Sequence, residues 1–326
     1  MYNKPIIKIT RSNFPNTSMV YWMTYIESIL STKYDVVIDP VNPDLVFWTN
    51  LGFSATQEDR YTGSYGSSHD HFPQAKKIFL SCEAISDHSS VLNLGEKYFA
   101  IGPQPLVHER YLHMALHNTI AAWGLYDESK LYDTPYDWLI ENSKFSKIDE
   151  ILNNKKHFCG VVQNSVYPYR VEIFNALNNY KFVRASGGWI TNVPREEAAA
   201  QHASIDGIGY KHKINFLSNC KFSIQVQSNA VRHLTVEKMI HAYAANTIPI
   251  YYGNDLVLED GFNPRSFINC HDYASVDEVV QKVKEIDNSP ELYKQMLLEP
   301  IFNENKLPSY FDTDYIFSFL DKVIQQ

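Results

Sequence analysis

The stretch Thr235-Val236-Glu237-Lys238-Met239-Ile240-His241-Ala242-Tyr243-Ala244-Ala245-Asn246-Thr247-Ile248-Pro249-Ile250-Tyr251-Tyr252-Gly253 decides the fold class of this 326-residue chain. Its apolar positions 236, 239, 240 and 243 recur at the helical period, which predicts an amphipathic helix over 235–245. Residues 248–252 are short and β-rich, and Pro249 stands near their start, where a missing N–H is tolerated. A helix feeding a buried strand that stops at a glycine is one unit of an α/β domain. Glu237 and Lys238 fall in the first helical turn, so this unit presents an acid and a base near the strand ends. As neighbours in sequence they do not face each other along a helix, and a mutual ion pair is not expected.

The same alternation extends outward. Further strands are expected at 157–162, 182–185, 222–227 and 267–270, with helices at 169–178, 212–218, 276–286 and 290–298. The first half carries strand candidates at 6–10, 35–38, 45–48, 77–81 and 98–101, and a helix over 19–30 that Ser18 can cap. Residues 57–72 read as a surface loop, and the polar segment 127–147 as the interdomain region. The expected organisation is an N-terminal α/β domain at 1–150 and a C-terminal α/β domain at 151–310. Residues 311–326 form a terminal amphipathic helix able to pack back on the first domain. Two doubly wound, Rossmann-like domains facing a central cleft would bind ligands outside the carboxyl ends of their strands.

Composition narrows the classes. Hydrophobic residues make up 44% and charged residues 20%, the balance of a globular protein with sizeable cores. A net charge of −8 excludes a non-specific nucleic-acid binder and a polybasic membrane patch, while leaving room for a local basic pocket. Cys82, Cys159, Cys220 and Cys270 are scattered without a CxxC pair, which speaks against a disulfide framework or a structural zinc and for a reducing cytoplasm. The N-terminus lacks a signal-peptide profile, and no apolar run reaches the ~18 residues of a membrane span.

VEKMIHAYAANTIPIYYG at 236–253, followed by FNPRSFINCHDY at 262–273, closely resembles the donor-binding signature of the α-1,3-fucosyltransferases, glycosyltransferase family 10, bacterial members above all. The resemblance is dense over 76–112 and 157–300. It implies a GT-B fold and an inverting transfer of L-fucose from GDP-fucose to a hydroxyl of a GlcNAc- or glucose-type residue. The acceptor would be an oligosaccharide or glycolipid, as in lipopolysaccharide or O-antigen assembly. No cofactor beyond the donor is implied. Animal members carry an N-terminal membrane anchor; this sequence reads as starting at the catalytic core. The location implied is cytoplasmic, with peripheral attachment to the inner membrane face left open.

The reaction needs a base for the acceptor hydroxyl, cations for the departing diphosphate and a pocket for the nucleotide. Glu83 follows a strand in FLSCEAIS at 79–86, which resembles the family's strand and acidic loop, whose glutamate is regarded as the base. Without that register it reads as a solvated loop glutamate. Arg170 opens Arg170-Val171-Glu172-Ile173-Phe174 after a strand and a polar loop, matching a family arginine; a guanidinium can hold two phosphate oxygens. Ser186-Gly187-Gly188 with Asn192 resembles a family turn, though a glycine pair is also an ordinary turn. Tyr210-Lys211 opens a helix where the family has a lysine, with Lys213 close by. In the signature itself, Lys238 is implied to touch diphosphate and Glu237 to bind ribose or sugar hydroxyls.

Val226-Gln227-Ser228-Asn229 stands where the family has Phe-Glu-Asn-Ser, so Gln227 and Ser228 depart from the pattern beside the donor. This keeps two alternatives open: the same fold using another GDP-deoxy or amino-deoxy sugar, and a glycan- or nucleotide-binding protein without catalysis. His113 and His117 have zinc-compatible spacing on an expected helix but lack a third ligand. His69-Asp70-His71 falls in a polar loop, and Asp312-Thr313-Asp314 opens the tail helix, where acids cap. No metal site is expected.

Overall fold

The computed structural model describes residues 4–12, 20–49, 71–81, 89–125, 134–140, 143–194, 197, 208–228, 230 and 232–326. Glu83, His69, Asp70 and Ser18 lie outside the described residues, as does most of 57–72, while His71 is described and exposed.

The chain divides into two units, 1–120 with 309–326 and 121–308. Unit 1 holds β1 (Ile6–Ser12), α1 (Val20–Leu30), β2 (Asp35–Ile38), β3 (Leu45–Thr49), β4 (Lys76–Leu80), α2 (Ser89–Leu92), β5 (Tyr98–Gly102) and β6 (Tyr111–His113). Helix α3 (Leu116–Gly124) carries the chain into unit 2. Its strands pair in the order β2-β1-β3-β4-β5-β6, and every pairing is parallel. The central strand β3, Leu-Val-Phe-Trp-Thr, is buried at every position, as a strand covered on both faces must be. β6 escapes the sequence pattern because it is three residues long. It places His113 on a strand, before α3 begins, so the expected shared helix for His113 and His117 does not exist.

Unit 2 follows with α4 (Ser143–Asn154), β7 (His157–Val162), α5 (Pro168–Tyr180), β8 (Val183–Ser186), α6 (Ile208–Ser218), β9 (Cys220–Val226), α7 (Lys238–Ala244) and β10 (Ile248–Tyr252). β11 (Ile268–Asn269), α8 (Val276–Asp287) and α9 (Pro290–Leu298) complete it. This sheet is also parallel, in the order β11-β10-β9-β7-β8. Phe222, Ile224, Ile248 and Ile250 line its core with Ile173, Leu177, Val279 and Val283 from the covering helices. Pro249 is tolerated in the inner strand β10 because β11 pairs only from Ile250 onward, leaving that side of Pro249 without a ladder partner. Gly160 on β7 permits close packing: a Cβ there would lie 2.8 Å from Cys220 Sγ and 3.0 Å from Leu217 Cδ2.

The domain boundary expected at 150/151 lies instead at 120/121. The polar composition of 127–147 concealed α4, whose Ile148 enters the unit 2 core with Ile151 and Leu152 packed beside it. The tail helix α10 (Thr313–Gln325) belongs to unit 1 and packs on α1. It buries Ile316, Phe319, Leu320 and Val323. Lys76 Nζ donates to the Val323 carbonyl at 2.6 Å, placing a cation at the negative end of the helix, and Asp321 pairs with Lys33 at 3.1 Å. Leu320→Ala should therefore destabilise unit 1 by about 2–5 kcal/mol, read as a lower midpoint in chemical denaturation. An unchanged midpoint would mean that the tail adds nothing to the core.

Candidate functional site

In unit 2 the strand order turns back between β7 and β9, and a crevice opens at the carboxyl ends of a parallel sheet where its connections diverge in this way. One carbonyl organises that point. Val226 O, at the end of β9, accepts from Gln163 Nε2 at 2.8 Å and from Arg170 Nε at 3.0 Å. Arg170 Nη1 donates to Ser165 O at 2.9 Å, and its guanidinium lies 4.6 Å from the Tyr167 ring. Arg170 is only 4% exposed, and this burial lowers its pKa, with Tyr167 and Glu237 opposing the shift.

Beside it, Glu237 pairs with Lys238, and its negative charge also acts on Arg170 and Lys213, opposing the fall of their pKa values. Lys238 Nζ lies 3.1 Å from Glu237 Oε1. The ion pair that sequence spacing argued against thus forms, for a local reason. Glu237 is the N-cap of α7 with helical backbone angles, and its side chain makes no capping hydrogen bond, which leaves the carboxylate to meet the Lys238 ammonium. Residues 235–237 precede the helix rather than opening it. Lys213 Nζ lies 3.3 Å from His241 Nδ1. Burial pushes Lys213 down to about 8 and His241 well below its usual range, so neutral imidazole accepts from the ammonium. Cations in excess over carboxylate at a crevice are built to receive an anion.

The helix ends agree. Ser275, Ser289 and Asp312 cap α8, α9 and α10 with side-chain hydrogen bonds. α5 and α7, which carry Arg170 and Lys238 in their first turns, have no side-chain cap and no acidic residue there. First-turn N–H groups not taken by a cap side chain add positive potential at the mouth.

Gln227 lies just past β9, buried, with its amide used within the chain. Its nitrogen donates to Leu234 O at 2.9 Å, while its oxygen accepts from Tyr251 Oη at 2.8 Å and Val236 N at 3.1 Å. Gly187 (φ +137°) packs against the β7 loop, where a Cβ would stand 2.2 Å from Gln163 O, and Gly188 N donates to Asn164 Oδ1 at 2.9 Å. Asn192 brackets β8, accepting from Ala185 N at 2.7 Å and donating to Val183 O at 2.9 Å. Ser228 is exposed. Lys211 points outward on α6, and Tyr210 lies on that helix with its side chain outside the described residues.

Residues 151–297 match the sequence profile "Glycosyltransferase family 10 (fucosyltransferase) C-term". That match lies wholly within unit 2. Over 304 residues the chain is 29% identical to the α-(1,3)-fucosyltransferase of Helicobacter pylori, covering 87% of this chain and 57% of that protein. The 4-galactosyl-N-acetylglucosaminide 3-α-L-fucosyltransferase 9 of Bos taurus is 26% identical over 166 residues, 49% of this chain and 41% of its own. The chain thus spans little more than half the length of the first relative and less of the second. A crystal structure of α1,3-fucosyltransferase superposes with TM-score 0.74 at 24% identity, covering 99% of this chain and 91% of that one. The same enzyme with GDP gives 0.71 at 24% identity and equal coverage. HepE of Anabaena in complex with UDP-glucose gives 0.54 at 9% identity, covering 98% and 100%. The fold is that of the GT-B glycosyltransferases, as the alternation of strands and helices implied.

Within the matched region, Glu237 pairs with Lys238 in the same electrostatic neighbourhood as Arg170, and Gln227 holds the loop that leads into them. Lys211 does not join that neighbourhood; Lys213 does. The signal was present, because 213, 216 and 217 form one helical stripe and Phe216 and Leu217 are buried. A lysine on that stripe must point inward. Since Lys213 holds its proton less tightly folded than unfolded, the wild type should gain stability over Lys213→Met as pH rises from about 8 toward 10.5. Denaturant titrations of both proteins across that interval should diverge by up to about 1.4 kcal/mol per pH unit. Parallel curves would place Lys213 in solvent.

Proposed function

We propose that this chain is an inverting glycosyltransferase that moves L-fucose from GDP-fucose to a hydroxyl of a GlcNAc- or glucose-type glycan. The observation that carries the reading is the Arg170–Lys213–Lys238 cluster around Glu237 at the β7/β9 switch point of a family 10 domain. Related proteins named for α-1,3-fucosyl transfer, and a solved relative holding GDP, support the choice of donor.

In this mechanism the acceptor oxygen attacks C1 of fucose from the face opposite GDP. Glu83 takes its proton, and the leaving diphosphate departs against Arg170, Lys238 and Lys213, which need no reorganisation to receive it. Glu237 binds ribose or sugar hydroxyls while holding Lys238 in place. We place the reaction in the cytoplasm, at the inner face of a membrane where a lipopolysaccharide or O-antigen precursor would be met. The free buried thiols of Cys159, Cys220 and Cys270 suit a reducing compartment.

The test is turnover across nucleotide sugars, with and without chelator. GDP-fucose should be consumed in the presence of an N-acetyllactosamine-type acceptor, and UDP-sugars should not. Preference for another GDP-deoxy sugar would change the product, whereas absence of GDP binding would overturn the reading. The roles separate by mutation. Lys238→Ala should weaken GDP binding about ten- to a hundredfold, the loss of a charge-assisted contact. Glu83→Gln should lower kcat about a hundred- to ten-thousandfold with GDP affinity retained. Full activity in Glu83→Gln would remove it as the base.

A further inference from the structure

Residues 233–236, immediately ahead of Glu237 and Lys238, are held from beneath at every position. Gln227 takes Leu234 O and Val236 N, as described above. Asn254 takes the alternate pair: its Oδ1 accepts from His233 N at 2.8 Å and its Nδ2 donates to Thr235 Oγ1 at 3.1 Å. Asn254 is fully buried, and its remaining groups are used: its N–H donates to Tyr251 Oη at 2.8 Å, and Oδ1 also accepts from Leu256 N at 3.0 Å.

An amide can rotate by half a turn and exchange its donor and acceptor ends, so something must fix its orientation. Asp260 does so. Its Oδ2 accepts from Asn254 Nδ2 at 3.2 Å, and Thr235 also hydrogen-bonds the carboxyl. A carboxylate can only accept, which forces Nδ2 toward Asp260 and Oδ1 toward the loop N–H. His233 sits at φ +63°, a conformation that a non-glycine residue holds only when its surroundings determine it.

We infer that Asp260 is a positioning residue: through Asn254 and Thr235 it sets the 233–236 segment, and with it the angle at which Glu237 and Lys238 meet an anionic ligand. This deepens the donor reading and rests on it for the identity of the ligand. Burial raises Asp260 to about 6, and the hydrogen bonds from Thr235 and Asn254 oppose that rise, so at neutral pH the acceptor-only form prevails.

Two measurements test this on Asp260→Asn, which retains size but loses one carboxylate acceptor and the acceptor-only character that fixes Asn254. Without nucleotide, hydrogen exchange at the amides of His233 and Val236 should accelerate about tenfold, while Cys159–Val161 in β7 keeps its protection. Unchanged protection at 233–236 would overturn the inference. With GDP, the dissociation constant should rise about tenfold. The double variant Asp260→Asn/Lys238→Ala should bind more tightly than the product of the two single losses requires, because part of the Asp260 effect runs through Lys238. Additive losses would overturn it. Should Asp260→Asn not fold, Thr235→Val removes the bridging hydroxyl at nearly constant shape and carries both measurements. Failure of the wild type to bind GDP would refute the donor reading alone, since the exchange measurement reads the loop without nucleotide.

Discussion

The carbonyl of Val226 is where the site of unit 2 is anchored. A strand-end carbonyl at a switch point loses its neighbour just where the connections part, and it is buried too deeply for water to serve it. Gln163 from the β7 loop and Arg170 from α5 both donate to it. That shared acceptor ties the ends of β7 and β9 to the first turn of α5. The crevice is thereby shaped before any ligand arrives, and a guanidinium is fixed in its wall.

Charge follows from that placement. A buried arginine stays charged, so it demands a carboxylate nearby or an anion from outside. Glu237 answers only part of the demand, because Lys213 and Lys238 share it. Lys213 shows the strain of this arrangement in its depressed pKa, and His241 resolves part of it by remaining neutral and accepting. A site of this kind is less stable empty than with an anion bound.

The departure at Gln227 has a structural explanation. A carboxylate at this position could accept from Tyr251 and Val236 but could not donate to Leu234 O, and it would add a negative charge behind Glu237. The amide does both tasks, and with Asn254 it forms a pair of buried amides that take alternate residues of one loop. Its polar groups are spent on the loop it holds, so it acts on the site through that loop.

The sequence by itself determined the α/β class, most strands of both sheets, the likeness to family 10 over its second half, and the placing of Arg170, Glu237 and Lys238 at the strand ends of unit 2. These are written in local periodicity and in a contiguous signature, which survive in one dimension. The tertiary structure alone decided that Lys213 and not Lys211 faces inward, and that Glu237 pairs with Lys238 at a helix start. It also decided that α4 belongs to unit 2 and that Asn254 and Asp260 stand behind the site. Each of these depends on which side of an element meets the core, or on residues distant in sequence converging on one loop. Buried amides and carboxylates have no periodic signal. Asp260 lies 25 positions from Thr235, and only the path of β10 and the turn after it brings the two within hydrogen-bonding reach.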